Sequence, residues 1–203
     1  MPDRSAISAP VRFMGRFLLA AVLLLLTWTY LADYYVATLL IPVNWIFAIQ
    51  GMPVELALRG DSLVLGIPGG GGQLRYFQLQ GHDLTYLNLP AAMALLVALP
   101  GWNLRGRLNW CAATAALLWV THVLGLYGGG YSAVGGYVGA QSPEIRGRLI
   151  DRLGEAFSTG LADSLGYLVG WWSAWGGPAL SLVFFVLAAP LSHLWRHSDA
   201  ERA

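Results

Sequence analysis

The sequence predicts an α-helical integral membrane protein with about four transmembrane helices, a small outer β-meander and an outer amphipathic helix. Three observations carry that expectation. Of 203 residues, 56% are hydrophobic and 11% charged, with a mean hydropathy of +0.55, against roughly 25% charge in an ordinary soluble domain. Four apolar runs approach the roughly 20 residues a helix needs to cross a bilayer with every backbone group paired. Between them lie two more polar segments, one alternating with period two and one with helical periodicity.

The section 1–50 holds a short tail with Arg4, Arg12 and Arg16, then "FLLAAVLLLLTWTYLA" as the first span, to about Asp33. "YYVATLLIPVNWIFAI" reads as an extension that runs along the bilayer or out of it. The apolar run continues into Tyr30, Tyr34 and Tyr35 without an A-x-A cleavage site, so it reads as an uncleaved anchor rather than a signal peptide. The section 84–128 holds the second span, 84–102, with Pro90 and Pro100 at its ends. A basic turn, "WNLRGR", and the third span, 108–128, follow. Within the second span Ala91, Ala92, Ala94 and Ala98 offer small surfaces to a neighbouring helix, and Leu96 is expected to face lipid. The section 166–203 holds the fourth span, 166–192, and a tail with Arg196 and Arg202.

Orientation follows from arginine. With the N-terminus cytoplasmic, Arg4, Arg12, Arg16, Arg105, Arg107, Arg196 and Arg202 fall inside, in short segments of the kind that obey the positive-inside rule. Arg59, Arg75, Arg146, Arg148 and Arg152 are left outside, among Glu55, Asp61, Asp83, Glu144, Asp151, Glu155 and Asp163. Both termini are then cytoplasmic. All basic residues are Arg and none is Lys, with Ala, Gly and Leu abundant, the composition of a GC-rich bacterial genome. The expected location is the bacterial inner membrane, with the lipid bilayer as the first partner. A net charge of +1 offers no nucleic-acid footprint.

The outer section 51–83 is expected to fold as a three-stranded meander. "VELALRGDSLVLGI" places Val54, Leu56 and Leu58 on one face, turns at "RGD", and continues with Leu63, Leu65 and Ile67. "PGGGG" is the next turn, and "QLRYFQLQ" a third strand with Leu74, Phe77 and Leu79. The outer section 129–165 opens on "LYGGGYSAVGGYVGAQ", read as a flexible loop skimming the interface. "SPEIRGRLIDRLGEAF" then reads as a helix, with Ser142 as N-cap, Pro143 first in the helix and Glu144 in the positive-dipole turn. Ile145, Leu149, Leu153 and Phe157 make one apolar stripe, suited to lying on the membrane or docking a partner protein.

The chemistry-bearing residues are few. The single cysteine, Cys111, excludes an intramolecular disulfide and reads as a small hydrophobe early in the third span. His122, near the outer end of that span, is an intramembrane polar residue facing a helical neighbour. Asp33 marks the outer interface or stands as an intramembrane carboxylate paired with Arg75 or His82. His193 and His197 are four apart, a metal-capable spacing, but with Arg196 between them they read as a headgroup anchor. "PGGGGQ" lacks the Lys and following Ser or Thr of a phosphate-binding P-loop. No catalytic set, metal site or cofactor motif is expected.

The order of parts resembles the exosortase and archaeosortase family of membrane transpeptidases. It runs from an anchor through an outer strand segment to a span entered from outside, a basic cytoplasmic turn and a return span. That resemblance would place a nucleophilic Cys around Thr85 to Asn88, in "TYLN", where none stands. Thr85 and Tyr86 substitute poorly, because a hydroxyl needs a strong, close base where a thiolate does not. The chain is more similar to the small accessory family called exosortase H-associated membrane proteins. That family has an "N-x-L-x-Y-x-x-x-LP" entrance followed by "ALxLAxP". Here the entrance is "HDLTYLNLPAAMALLVALPG", with Asp83 in place of Asn and shorter spacing, and the likeness covers 40–110 best. It implies a non-catalytic accessory or scaffold of an exosortase-type envelope protein-sorting system. The expected partner is a membrane protein, an exosortase-like enzyme or its substrate. The alternatives are a divergent enzyme using Tyr86, His82 or His122, and a transporter or channel subunit.

Overall fold

The computed structural model describes residues 4–60, 62–69, 73–79, 86–99 and 103–172, with side chains from Val11 onward. Eight elements follow in order: α1 (Arg4–Ile49), β1 (Glu55–Arg59), β2 (Ser62–Pro68), β3 (Leu74–Gln78), α2 (Asn88–Ala98), α3 (Leu104–Gly139), α4 (Pro143–Leu153) and α5 (Thr159–Trp171). The described residues divide into two compact units. Residues 4–31, 86–99 and 103–118 belong to the first, and residues 32–60, 62–69, 73–79 and 119–172 to the second.

Among the described residues two helices are long and apolar enough to cross a membrane, Val11–Ile49 within α1 and Leu104–Gly139. At about 1.5 Å per residue, α1 is about 69 Å long and α3 about 54 Å, against a hydrocarbon core of about 30 Å. The extension expected at 34–50 is therefore no separate segment, because α1 continues through it to Ile49. Val36, Leu39, Val43 and Phe47 recur on one helical face and are buried in the second unit, which keeps the helix intact past Pro42. Without an N–H, Pro42 cannot donate to the carbonyl of Thr38. The second span expected over 84–102 is, where described, the 11-residue α2, about 16 Å and half a bilayer. Of the fourth, α5 begins at Thr159, earlier than expected, and places Asp163 on its exposed side. Residues 173–192 of that span lie outside the described residues, as do His193, Arg196 and His197.

In the first unit, Asn103 caps α3. Its carbonyl accepts from Arg107 N at 3.1 Å and its side-chain oxygen from Gly106 N at 2.7 Å, which satisfies amide donors that have no partner inside the helix. The Arg107 guanidinium reaches back to the end of α2, donating to Val97 O at 2.8 Å and Leu99 O at 3.0 Å. Leu96 and Leu99 pack with Trp110 and Cys111. Leu96 is 2% exposed, so the lipid-facing assignment fails; the outward residue is its neighbour Val97, 41% exposed.

The second unit is built on an antiparallel sheet of order β1-β2-β3. Gly60, at φ 58°, makes the β1–β2 turn. The register pairs Leu56 with Leu65 and Leu58 with Leu63, so the expected apolar face forms. Phe77 and Leu79 join that face, but Leu74 does not, because Pro68 pairs with Leu74 and Leu65 with Phe77. A three-residue step along a strand changes faces. The edge strand β1 is closed by Asn44 of α1, whose amide donates to Leu56 O and accepts from Leu56 N, each at 2.8 Å. One side chain thus does the work of a neighbouring strand.

The glycine-rich stretch expected as a loop is helical, and the boundary drawn at 128/129 falls inside α3. Glycine lowers helix propensity by about 1 kcal/mol, but here it lets helices approach. A Cβ on Gly128 would stand 2.8 Å from Val169, one on Gly135 would strike Ala162, and one on Gly166 would strike Ser132. Gly128 and Ser132 on α3, and Ala162 and Gly166 on α5, are pairs four apart, the spacing by which small residues bring helices together.

Candidate functional site

Chemistry-bearing groups of the second unit gather along the seam between α1 and α3. Tyr35 and His122 share a hydrogen bond of 2.6 Å between Oη and Nδ1, and the rings meet edge to face at 5.8 Å. The residues are 87 apart in sequence, and no local pattern announces their meeting. Further along, Trp119 Nε1 donates to Thr38 Oγ1 at 3.1 Å, and Gln50 Nε2 donates to Tyr127 Oη at 2.8 Å. Phe47 and Tyr127 pack at 5.2 Å between these bonds. Between apolar helices such bonds fix register, because the alternative is a polar group without a partner.

A second knot holds the turn between α4 and α5. Tyr131, fully buried on α3, donates its hydroxyl to Ala156 O at 2.9 Å and accepts from Ser158 N at 2.9 Å. Its ring stacks on Phe157 at 5.6 Å. Ser158 then caps α5 by accepting from Leu161 N at 3.4 Å.

The predicted site residues are distributed as follows. His122 is buried and bonded to Tyr35. Asp33 is exposed on α1, and no ion pair joins it to the likewise exposed Arg75; its other proposed partner, His82, lies outside the described residues. On α4, Pro143 does occupy the first turn, but the Ser142 hydroxyl makes no capping bond. Leu149 and Leu153 are buried and Ile145 is 41% exposed, so the stripe is largely covered by the chain's own second unit rather than open to a partner. Phe157 is buried but stands beyond the end of α4, since Gly154, at φ 83°, turns the chain out of the helix. In the first unit Ala94 and Ala98 are fully buried, which makes them internal packing positions. Tyr86, weighed as a nucleophile, is buried just ahead of α2.

Comparison of the chain with protein-family models, with curated proteins and with solved structures finds no match. Phenol, imidazole, indole and amides are engaged with one another, an arrangement that locks two helices and presents the sheet and α4 on a fixed base.

Proposed function

We propose that the chain is a non-catalytic accessory protein of a bacterial exosortase-type envelope protein-sorting system, anchored in the inner membrane by α1 and α3. The observation that carries this reading is the double use of α1. Its first half leaves Leu18, Leu19, Val22, Leu23 and Leu26 exposed, a run for which leaving water for lipid is favourable. Its second half supplies Val36, Leu39, Val43 and Phe47 to a core. An anchor continuous with the core of a folded unit suits a scaffold that holds a partner at the bilayer. The arginine distribution supports placing the sheet and α4 outside and both termini in the cytoplasm. The order of parts, which resembles exosortase-associated proteins, supports a sorting enzyme or its substrate as the partner.

One observation favours a second reading. A short phenol–imidazole hydrogen bond is an acid–base couple, and a divergent membrane enzyme would use it at His122.

Affinity purification of the full chain in mild detergent, with identification of co-eluting membrane proteins, tests the proposal. Near-stoichiometric recovery of a sorting enzyme or its cargo is expected. Elution of the chain without any other membrane protein would overturn it.

A further inference from the structure

One face of α4 closes a cleft of about 330 Å3 in the second unit, within the range of small-ligand sites. Arg148 and Arg152 line it from that helix, four apart and on one side, and Arg75 lines it from β3. Leu149 and Tyr137 line the same cleft and supply apolar wall. Each guanidinium is differently held. Arg152 is fixed by a 2.6 Å bond from Nη1 to Gly69 O, which leaves its other N–H groups to aim elsewhere. Arg148 pairs with Glu144 at 3.2 Å, with side chains 65% and 84% exposed, a contact that water and competing anions readily displace. Arg75 carries no hydrogen bond or ion pair among the described residues, and its stem lies against Gly69, where a Cβ would stand 2.9 Å from its Cγ.

Three cations converging on one cleft repel each other unless an anion lies between them. Among the described residues the one acid paired with any of them is Glu144, one turn before Arg148 on α4, and neither it nor Asp151 lines the cleft. Guanidinium forks match the oxygens of phosphate in geometry as well as charge. The apolar wall fits the carbon portion of an ester better than a bare hydrated ion.

We propose that this cleft binds a phosphate ester, its oxygens taken by Arg75, Arg148 and Arg152 and its esterified carbon portion lying on Leu149 and Tyr137. The ester can belong to a lipid headgroup or to a soluble phosphorylated molecule, and the recognition chemistry is the same. It does not depend on which protein the chain serves.

The test uses the full chain in an uncharged maltoside detergent, with thermal melting read against phosphatidylglycerol, glycerol 3-phosphate and diacylglycerol as probes. A dose-dependent rise in melting temperature with phosphatidylglycerol alone supports the site with a lipid headgroup as ligand. A rise with glycerol 3-phosphate as well supports it with a soluble ester. The double variant Arg75→Gln/Arg148→Gln should raise the half-saturating concentration at least tenfold, whereas Arg105→Gln on α3 should leave it unchanged. Because Arg75 and Arg148 are exposed, neither change removes a packed side chain. In the unaltered chain, the effective probe should also protect Arg75 and Arg148 from phenylglyoxal, read by peptide mass spectrometry. Absence of any rise, an equal rise with diacylglycerol, an unchanged half-saturation in the double variant, or unprotected arginines would each overturn the proposal.

Discussion

Tyr35 Oη lies 2.6 Å from His122 Nδ1, joining α1 to α3 inside the second unit. Tyr35→Phe keeps the ring and deletes the bond, so it should lower stability by about 1–3 kcal/mol, the cost of removing one partner from a buried polar pair. His122→Leu should cost less in the Tyr35→Phe background than alone, since the shared bond is already gone. Melting in detergent across the four chains of this cycle measures the coupling; additive effects would show the contact contributes nothing.

Two adjacent glycines of α3 should respond to the same substitution in opposite directions. A methyl group on Gly135 strikes Ala162, whereas one on Gly136 meets nothing within 4 Å. Gly135→Ala should therefore destabilise by about 1–3 kcal/mol through overpacking. Gly136→Ala should be neutral or stabilise by up to about 1 kcal/mol through helix propensity. Equal melting temperatures for the two variants would mean that α3 and α5 do not meet at these residues.

The same contrast holds on α2. Ala98→Leu adds bulk at a fully buried position and Leu96→Phe at one 2% exposed, so each should cost about 1–3 kcal/mol. Val97→Phe, at a position 41% exposed, should change stability by less than about 0.5 kcal/mol. Thermal unfolding of the three variants side by side decides whether the packed face of α2 is the one assigned.

Removing the Tyr131 hydroxyl by Tyr131→Phe strands Ala156 O and Ser158 N in the turn between α4 and α5. A loss of about 1–3 kcal/mol is expected. Hydrogen exchange should quicken first over residues 154–161, where the bonds were, and not in the sheet.

What was legible in the sequence was local. Period-two alternation placed β1 and β2, and the Ser142-Pro143-Glu144 run placed the start of α4. The third strand is legible too, but not which of its apolar residues share a face, because Leu74 is out of phase with Phe77 and Leu79 and only the register separates them. The glycine-rich stretch was misread because glycine's weak propensity is a property of the isolated chain, whereas its use in α3 is to admit Ala162 and Ser132 at close range. Nothing local connects Tyr35 to His122, or Arg75 to Arg148 and Arg152, which come from a strand and a distant helix. The small-residue face of α2 was seen, but its phase was not, because Leu96 and Val97 are equally apolar and only packing separates them.

The central claim is that the chain serves envelope protein sorting without chemistry of its own. Its most direct test is the fraction of sorted cargo processed in a deletion strain that carries the triple variant Tyr35→Phe/His122→Gln/Cys111→Ala. That chain lacks the buried phenol–imidazole couple and the only thiol, and abundance in the membrane must be matched to the unaltered protein. The account predicts that deletion impairs processing and that the triple variant restores it to within about twofold, since none of the three groups reacts. Unprocessed cargo at matched abundance and unchanged partner co-purification would contradict the account and assign chemistry to one of the three altered groups.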